Sequence, residues 1–221
     1  MSIQVVYKNK AKSSNSGVIA LFTEDKFEIK NTKVFLSNSQ ILYVEKILKN
    51  KKNIKENIIS LNINEKTTLV LISIKKDLKG FDVENLGAEF YNFIKKNSFK
   101  DVSIVTSTLK TKPGKDFIGR FMHGLKLKSY EFNIYKSKKT KNIITISLIG
   151  KQTSLFLKNK LKFKALEEGT FYTRDLVSEP GNVLHPDEYA KRLNSLKKNG
   201  LKINIYDEKK LKKLGMNALL G

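Results

Sequence analysis

Short runs of β-branched and apolar residues alternate along this chain with runs whose apolar residues recur every three or four positions. The first kind occupies residues 3–7, 17–22 and 102–106, and the second kind occupies residues 39–49 and 83–94. Such alternation, at this spacing, is typical of α/β domains in which most strands are parallel. The sequence therefore predicts an α/β fold with a mixed, largely parallel sheet flanked by helices.

The remaining elements follow from the same periodicities and from local start and stop signals. Residues 57–63 and 67–74 flank a polar turn and suggest a hairpin, and Ser39 is the predicted N-cap of the first helix. Pro180 is predicted to end a long helix, because proline cannot donate to the helical ladder. The other predicted strands are residues 130–135, 143–149 and 202–206, and the other predicted helices are residues 117–125, 161–178, 187–198 and 208–214.

The formal net charge of +22 raises the question of nucleic-acid binding. Only three of the 43 basic residues are Arg, namely Arg120, Arg174 and Arg192. Proteins that read bases favour Arg for its bidentate fork, whereas Lys acts as a point charge. The main interpretation is therefore a solvated Lys-rich surface, and any affinity for nucleic acid is expected to be weak and non-specific.

Several classes of protein are excluded by what the sequence lacks. It contains no Cys, so it can form neither disulfides nor thiolate metal sites. No apolar run approaches the length of a membrane span, and the first residues lack the layout of a signal peptide. We therefore expect a cytoplasmic protein without a membrane partner.

Motifs for phosphate binding and for histidine chemistry are weak. Gly150-Lys-Gln-Thr153 follows a predicted strand, but Thr145 stands where a phosphate-binding loop needs its first Gly and Gln152 where it needs Ser or Thr. His123 and His185 are 62 positions apart, and neither lies in a zinc-binding pattern. We expect His185 to lie in an exposed turn and His123 to pack near the end of a helix.

Acidic residues that lie close together in the sequence are the candidates for a metal site. Asp175 and Glu179 are four positions apart, and Glu167 and Glu168 lie near Lys164, spacings that are common on solvated helix faces. The other candidates form two adjacent pairs at predicted helix starts, Asp187 with Glu188 and Asp207 with Glu208. Carboxylates at helix starts are explained by the helix dipole. The sequence therefore predicts no catalytic, cofactor-binding or metal-binding residue in this chain.

Three segments, taken in order, resemble the leucyl (cytosol) aminopeptidases. Residues 119–138 (GRFMHGLKLKSYEFNIYKSK) resemble a family segment in which a helix leads into a strand. Residues 168–182 (EGTFYTRDLVSEPGN) resemble its connecting helix and Pro-x-Asn turn, and residues 215–221 (GMNALLG) the run before its Gly-rich continuation. Residues 1–80 match only in pattern, and Ser73-Ile-Lys-Lys76 replaces a Gly-Leu-Gly-type turn of the family.

The resemblance implies a division of the chain into three parts. Residues 1–160 would form a macro-like N-terminal domain, residues 161–180 a connecting helix, and residues 181–221 the opening elements of an incomplete catalytic α/β domain. Family members resemble one another in forming hexamers and in using two divalent metals, typically zinc, manganese or magnesium. Their ligands, a Lys, several Asp and a Glu, lie beyond the Gly-rich continuation and have no counterpart in this sequence.

Three hypotheses about function remain open at this point. The first is the N-terminal portion of a leucyl aminopeptidase, an exopeptidase that releases N-terminal amino acids; this portion would be inactive alone and would serve assembly or regulation with the catalytic half. The second is a stand-alone binding module that uses a macro-like pocket or its Lys-rich face. The third is an architectural piece that docks on full-length subunits as part of a homo-oligomer.

Overall fold

A computed structural model describes residues 3–9, 17–29, 35–50, 54–109, 116–137, 143–150 and 159–220. By the density of internal contacts the chain forms two compact units, Met1–Phe171 and Tyr172–Gly221. The first unit contains a six-stranded sheet and the helices that pack on it. In the described part of the chain, no helix is both long enough and apolar enough to cross a membrane.

The sheet is mixed and mostly parallel, as the sequence predicts. Its strands are β1 (Ile3–Lys8), β2 (Gly17–Glu24), β3 (Ile58–Asn64), β4 (Thr67–Ile74), β5 (Asp101–Val105) and β6 (Ile144–Ile149). They lie in the order β1-β6-β5-β2-β4-β3. Every neighbouring pair is parallel except β3 with β4, the antiparallel hairpin that the polar turn predicts.

Both faces of the sheet are covered, which is why β4 is apolar at successive positions. Val70 and Ile72 belong to one buried cluster, whereas Leu69 and Leu71 belong to a second cluster on the opposite face. Side chains alternate between the faces of a strand, so a strand that is buried on both sides needs apolar residues throughout. This arrangement places the two halves of the core on either side of the central strands.

Six α-helices complete the described chain. They are α1 (Asn38–Asn50), α2 (Gly80–Lys96), α3 (Phe117–Lys128), α4 (Lys160–Ser178), α5 (Pro186–Asn194) and α6 (Glu208–Lys213). The first cluster contains residues of α2 and α3 together with Phe163 of α4, and the second contains Ile41 and Val44 of α1. All six helices are predicted by the sequence, and α5 continues as a 3₁₀ turn, Ser195–Asn199, that ends at Gly200 with a φ of 83°.

Two predicted strands are wrong. Residues 130–135 form no strand. The ring of Tyr130 packs on Phe171 of α4 and that of Phe132 on Tyr135, so their aromatic pattern reflects ring-to-ring contacts rather than a sheet face. Residues 202–206 also form no strand. A strand needs the hydrogen-bonding groups of a neighbour, and the second unit has no strand among its described residues.

The predicted N-cap of α1 is also wrong by two positions. The hydroxyl of Ser37, not of Ser39, accepts a hydrogen bond from the Gln40 amide at 3.3 Å, and the Ser37 amide donates to Oε1 of Gln40 at 2.9 Å. This reciprocal pair is a capping box. Ser39 lies inside the first turn of the helix, where its hydroxyl lies 2.9 Å from the Ser37 hydroxyl.

Candidate functional site

A buried carboxylate is the most unusual polar group of the first unit. Glu167 of α4 is 4% exposed, and its Oε2 atom accepts a hydrogen bond from Nζ of Lys126 at 2.8 Å. Its Oε1 atom lies 3.6 Å from Nδ1 of His123. A buried carboxylate is costly unless charged or polar partners surround it, and here α3 supplies both partners.

The spacing of residues on the two helices explains how the cluster forms. His123 and Lys126 are three positions apart on α3 and therefore share one face of that helix. On α4, Phe163, Glu167 and Phe171 recur every fourth residue and form an inward stripe. The ring of Phe163 lies 5.6 Å from the ring of His123, so the imidazole contacts both the carboxylate and an aromatic anchor of the same helix.

Tyr7 of β1 is coupled electrostatically to this cluster. Burial, and to a lesser extent the negative charge of Glu167, raise the pKa of the Tyr7 hydroxyl to about 12. The ammonium of Lys160, in the first turn of α4, lies 5.7 Å from the centre of the Tyr7 ring. An edge strand of the sheet is thus connected by electrostatics to the same helix that carries Glu167.

The chemistry of this cluster is that of a structural ion pair. Neither Oε1 of Glu167 nor Nδ1 of His123 has a hydrogen-bond partner among the described residues. A proton on Nδ1 and a small approach of the two groups would satisfy both atoms. The Lys126 ammonium already binds the Glu167 carboxylate. A divalent cation at this position would therefore be repelled by the positive charge of Lys126.

A second polar cluster lies in the second unit, at the junction of α4 and α5. Nη1 of Arg192 donates to Oε1 of Glu179 at 2.9 Å, and its Nε donates to Oε1 of Glu188 at 3.1 Å. The Glu179 side chain is 4% exposed. These hydrogen bonds raise the pKa of Arg192, and the hydrogen bond from Arg192 is the main cause that lowers the pKa of Glu188. Arg192 therefore joins the segment after α4 to α5.

The acidic pairs lie at helix starts, as the sequence predicts. Asp187 and Glu188 are in the first turn of α5. Asp207 caps α6 by accepting a hydrogen bond from the Lys210 amide at 2.8 Å, and Glu208 pairs with Lys212 at 2.7 Å. Over the described ranges, no group of three or more His, Asp or Glu residues could hold a metal ion. The described donor set therefore does not fit a two-metal centre.

The sequence places both Glu167 and Glu168 on a solvated helix face. This interpretation is wrong for Glu167, which is buried. It is correct for Glu168, which pairs with Lys164 at 3.6 Å on the surface. The four-residue spacing of Glu167 from Phe163 and Phe171 was the available signal for its burial. His185 is exposed immediately before α5, as predicted, whereas His123 is buried in the middle of α3 rather than near its end. Gly150 follows β6 with a φ of 122°, and the rest of the Gly150–Thr153 motif lies outside the described residues.

Both the sequence and the fold of this chain are similar to those of known proteins. The model of the cytosol aminopeptidase family, catalytic domain, matches residues 171–221. A probable cytosol aminopeptidase of Phytoplasma mali (strain AT) is 37% identical over 132 residues, which cover 57% of this chain and 26% of that protein. The chain therefore matches about a quarter of the length of this relative.

Solved structures share the fold at low sequence identity. A mutant leucine aminopeptidase from tomato has a TM-score of 0.67 and 14% identity, and the similarity covers 96% of this chain and 46% of the tomato chain. The bottromycin maturation enzyme BotP in complex with Mn has a TM-score of 0.61 and 13% identity, over 90% of this chain and 40% of that chain. The sequence matches and the shared fold together support a relationship of this chain to the leucyl (cytosol) aminopeptidase family.

Proposed function

We propose that this polypeptide is the N-terminal portion of a leucyl aminopeptidase, a hydrolase that releases N-terminal amino acids from peptides, and that it hydrolyses no peptide by itself. The observation that carries the proposal is the match of residues 171–221 to the catalytic-domain model. In that region four of the six acidic residues serve other purposes: Glu179 and Glu188 bind Arg192, Asp207 caps a helix and Glu208 binds Lys212.

The proposal assigns a separate role to each of three successive parts of the chain. Residues 1–160 form a macro-like N-terminal domain, residues 161–180 connect, and residues 181–221 contribute the first elements of the catalytic domain. The role of this portion is assembly or regulation, with the remaining catalytic part and with further copies in a homo-oligomer, by analogy a hexamer. Relatives are named cytosol aminopeptidases, and we place the chain in the cytoplasm.

Exposed apolar side chains in the second unit support a partner for this region. Between residues 201 and 219, six large apolar side chains are about half exposed or more: Leu201, Ile205, Tyr206, Leu214, Met216 and Leu219. Exposed large apolar side chains are characteristic of interaction sites, and burial of these six on the rest of a catalytic domain would be favourable at about 25 cal/mol per Å². The same domain would supply the ligands for two divalent metals, manganese or zinc, that the described residues do not offer.

A chimera tests the proposal. This chain would replace the matching region of the Phytoplasma mali relative, and release of leucine from a chromogenic anilide would be measured with added Mn²⁺ or Zn²⁺. We expect metal-dependent hydrolysis by the chimera and none by the chain alone, with removal of the metal by a chelator as the control. Turnover by the purified chain alone, after exclusion of host peptidases, contradicts the proposed inactivity. A chimera that folds and assembles but does not hydrolyse the substrate contradicts the proposed role.

The charge of the chain favours a second candidate, a Lys-rich module that binds nucleic acid without reading its sequence. The formal net charge is +22, and α6 alone exposes Lys209, Lys210, Lys212 and Lys213. Lysine contacts to phosphates give affinity that falls steeply with salt and ignores base sequence. Binding of random and specific duplexes at increasing salt tests this candidate, and a preference of about a hundredfold for one sequence at physiological salt contradicts it.

A further inference from the structure

The face of α4 that packs on the first unit carries one charged residue between two aromatic ones. Phe163 lies against Gly119 and His123 of α3, and Phe171 lies against Tyr130, with ring centres 5.4 Å apart. Glu167 occupies the position midway between them. An apolar residue would be the ordinary choice there, because a buried ion pair rarely adds stability over well-packed apolar side chains.

A stripe of apolar side chains fixes the rotation of a helix about its own axis more firmly than its position along that axis. Rotation by one residue, about 100°, would turn both rings away from α3 and bring Lys164 and Glu168 toward it. Translation by one turn, about 5.4 Å, would instead place Phe163 or Phe171 where Glu167 had been, and Glu167 where one of the two rings had been. If residue 167 were apolar, the stripe would be apolar at every fourth position from 163 to 171, and registers one turn apart would be comparable.

Glu167 distinguishes these registers. The Lys126 side chain is only 14% exposed and donates to Oε2 of Glu167. A shift of α4 by one turn in either direction would put Phe163 or Phe171 opposite the Lys126 ammonium and leave that charge without its carboxylate. A buried charge without a partner is strongly unfavourable, so the ion pair penalises each slipped register.

We propose that Glu167, through Lys126 and His123, is a positioning residue that selects a single axial register of α4 against α3. This inference is independent of the proposed function, because it concerns only residues of the first unit. Single buried polar residues are best documented in this role, in which they fix helix register at a cost in stability. Because α4 continues from the first unit into residues 172–178, its register determines where the chain leaves the first unit.

The test compares two double variants of the full chain. In Lys126→Met with Glu167→Leu, the buried pair becomes apolar at similar volume, so no charge is left unpaired. In Lys164→Met with Glu168→Leu, the same substitutions are made in the exposed pair of α4, in which Lys164 and Glu168 lie 3.6 Å apart. The readouts are the number of amide resonances for residues 163–171 and the two ring-to-ring contacts, His123 with Phe163 and Tyr130 with Phe171, measured by nuclear Overhauser effects.

We expect the buried-pair variant to fold and to show a second set of α4 resonances, at a population of about a tenth or more, with weaker ring-to-ring effects. The exposed-pair variant should keep one set and full effects. A buried-pair variant with one set of resonances and undiminished effects overturns the proposal. So does a buried-pair variant that unfolds while the exposed-pair variant folds, because the ion pair would then hold the fold rather than select its register.

Discussion

Gly124 of α3 lies against the backbone carbonyl of Glu84 in α2 so closely that a Cβ atom on Gly124 would be 1.8 Å from that oxygen. The contact is reciprocal, because a Cβ atom on Gly87 of α2 would be 1.9 Å from the carbonyl oxygen of Phe121 in α3. Each helix thus presents a glycine to the backbone of the other. Both helices contribute side chains to the cluster that covers one face of the sheet.

Substitution of Gly124 by Ala is predicted to lower the free energy of unfolding by on the order of 3 kcal/mol, because a backbone carbonyl cannot move aside as a side chain can. Thermal or denaturant unfolding measures the change. Gly169→Ala in α4 is the matched control, since nothing lies within 4 Å of a Cβ atom there. The control should stabilise the helix by about 0.5–1 kcal/mol. Equal effects of the two substitutions would contradict the close helix contact.

The first turn of α1 provides a finer test of local structure. Ser37→Ala removes the hydroxyl that caps the Gln40 amide, and we expect a loss of about 1 kcal/mol. Ser39→Ala, two residues later and inside the helix, should change stability by no more than about 0.5 kcal/mol. Denaturant midpoints of the two variants give the comparison. A larger loss of stability in Ser39→Ala than in Ser37→Ala would indicate that Ser39 is the N-cap, as the sequence alone predicts.

Some features of the fold can be predicted from the sequence, whereas the N-cap of α1 and the burial of Glu167 cannot. The apolar run in β4 is sufficient to predict a strand covered on both faces, since each residue contributes a local signal. Ser37 and Ser39 both precede an apolar helical pattern, and only the geometry of the first turn distinguishes them. Glu167 and Glu168 differ by a rotation of about 100°, so their opposite environments depend on which face of α4 meets α3.

Arg192 is predicted to hold the segment between α4 and α5 together. Arg192→Ala leaves the buried Glu179 carboxylate without its guanidinium, and the turn amides of Val183 and Leu184, which donate to the Pro180 carbonyl, should exchange on the order of tenfold faster or more. Lys191→Ala is the control, because Lys191 is 81% exposed and pairs only loosely with Glu188 at 3.6 Å. Hydrogen exchange followed by mass spectrometry or nuclear magnetic resonance makes the measurement. Unchanged exchange of these amides in the Arg192 variant would contradict the stabilising role of Arg192 in this segment.

Tyr7 is predicted to ionise late, and its ionisation should destabilise the fold. Because the pKa of Tyr7 is raised from 10.0 to about 12 in the folded chain, the folded state keeps its proton at pH values where the unfolded state has lost it. The contribution is fully present below pH 10, and the free energy of unfolding falls as the pH rises from 10 to 12. Tyr7→Phe should remove this part of the alkaline loss.

The difference in phenolate absorbance between the native chain and Tyr7→Phe isolates this one hydroxyl from the other tyrosines, of which the sequence has eight in total. We expect the difference to titrate near pH 12. Glu167→Gln should shift it part of the way down, because the carboxylate is the smaller cause and burial, the larger one, remains. Glu168→Gln, at a carboxylate on the exposed face of α4, should not move it. A titration at the ordinary tyrosine value, or an equal shift in both variants, would show that Glu167 does not act on Tyr7.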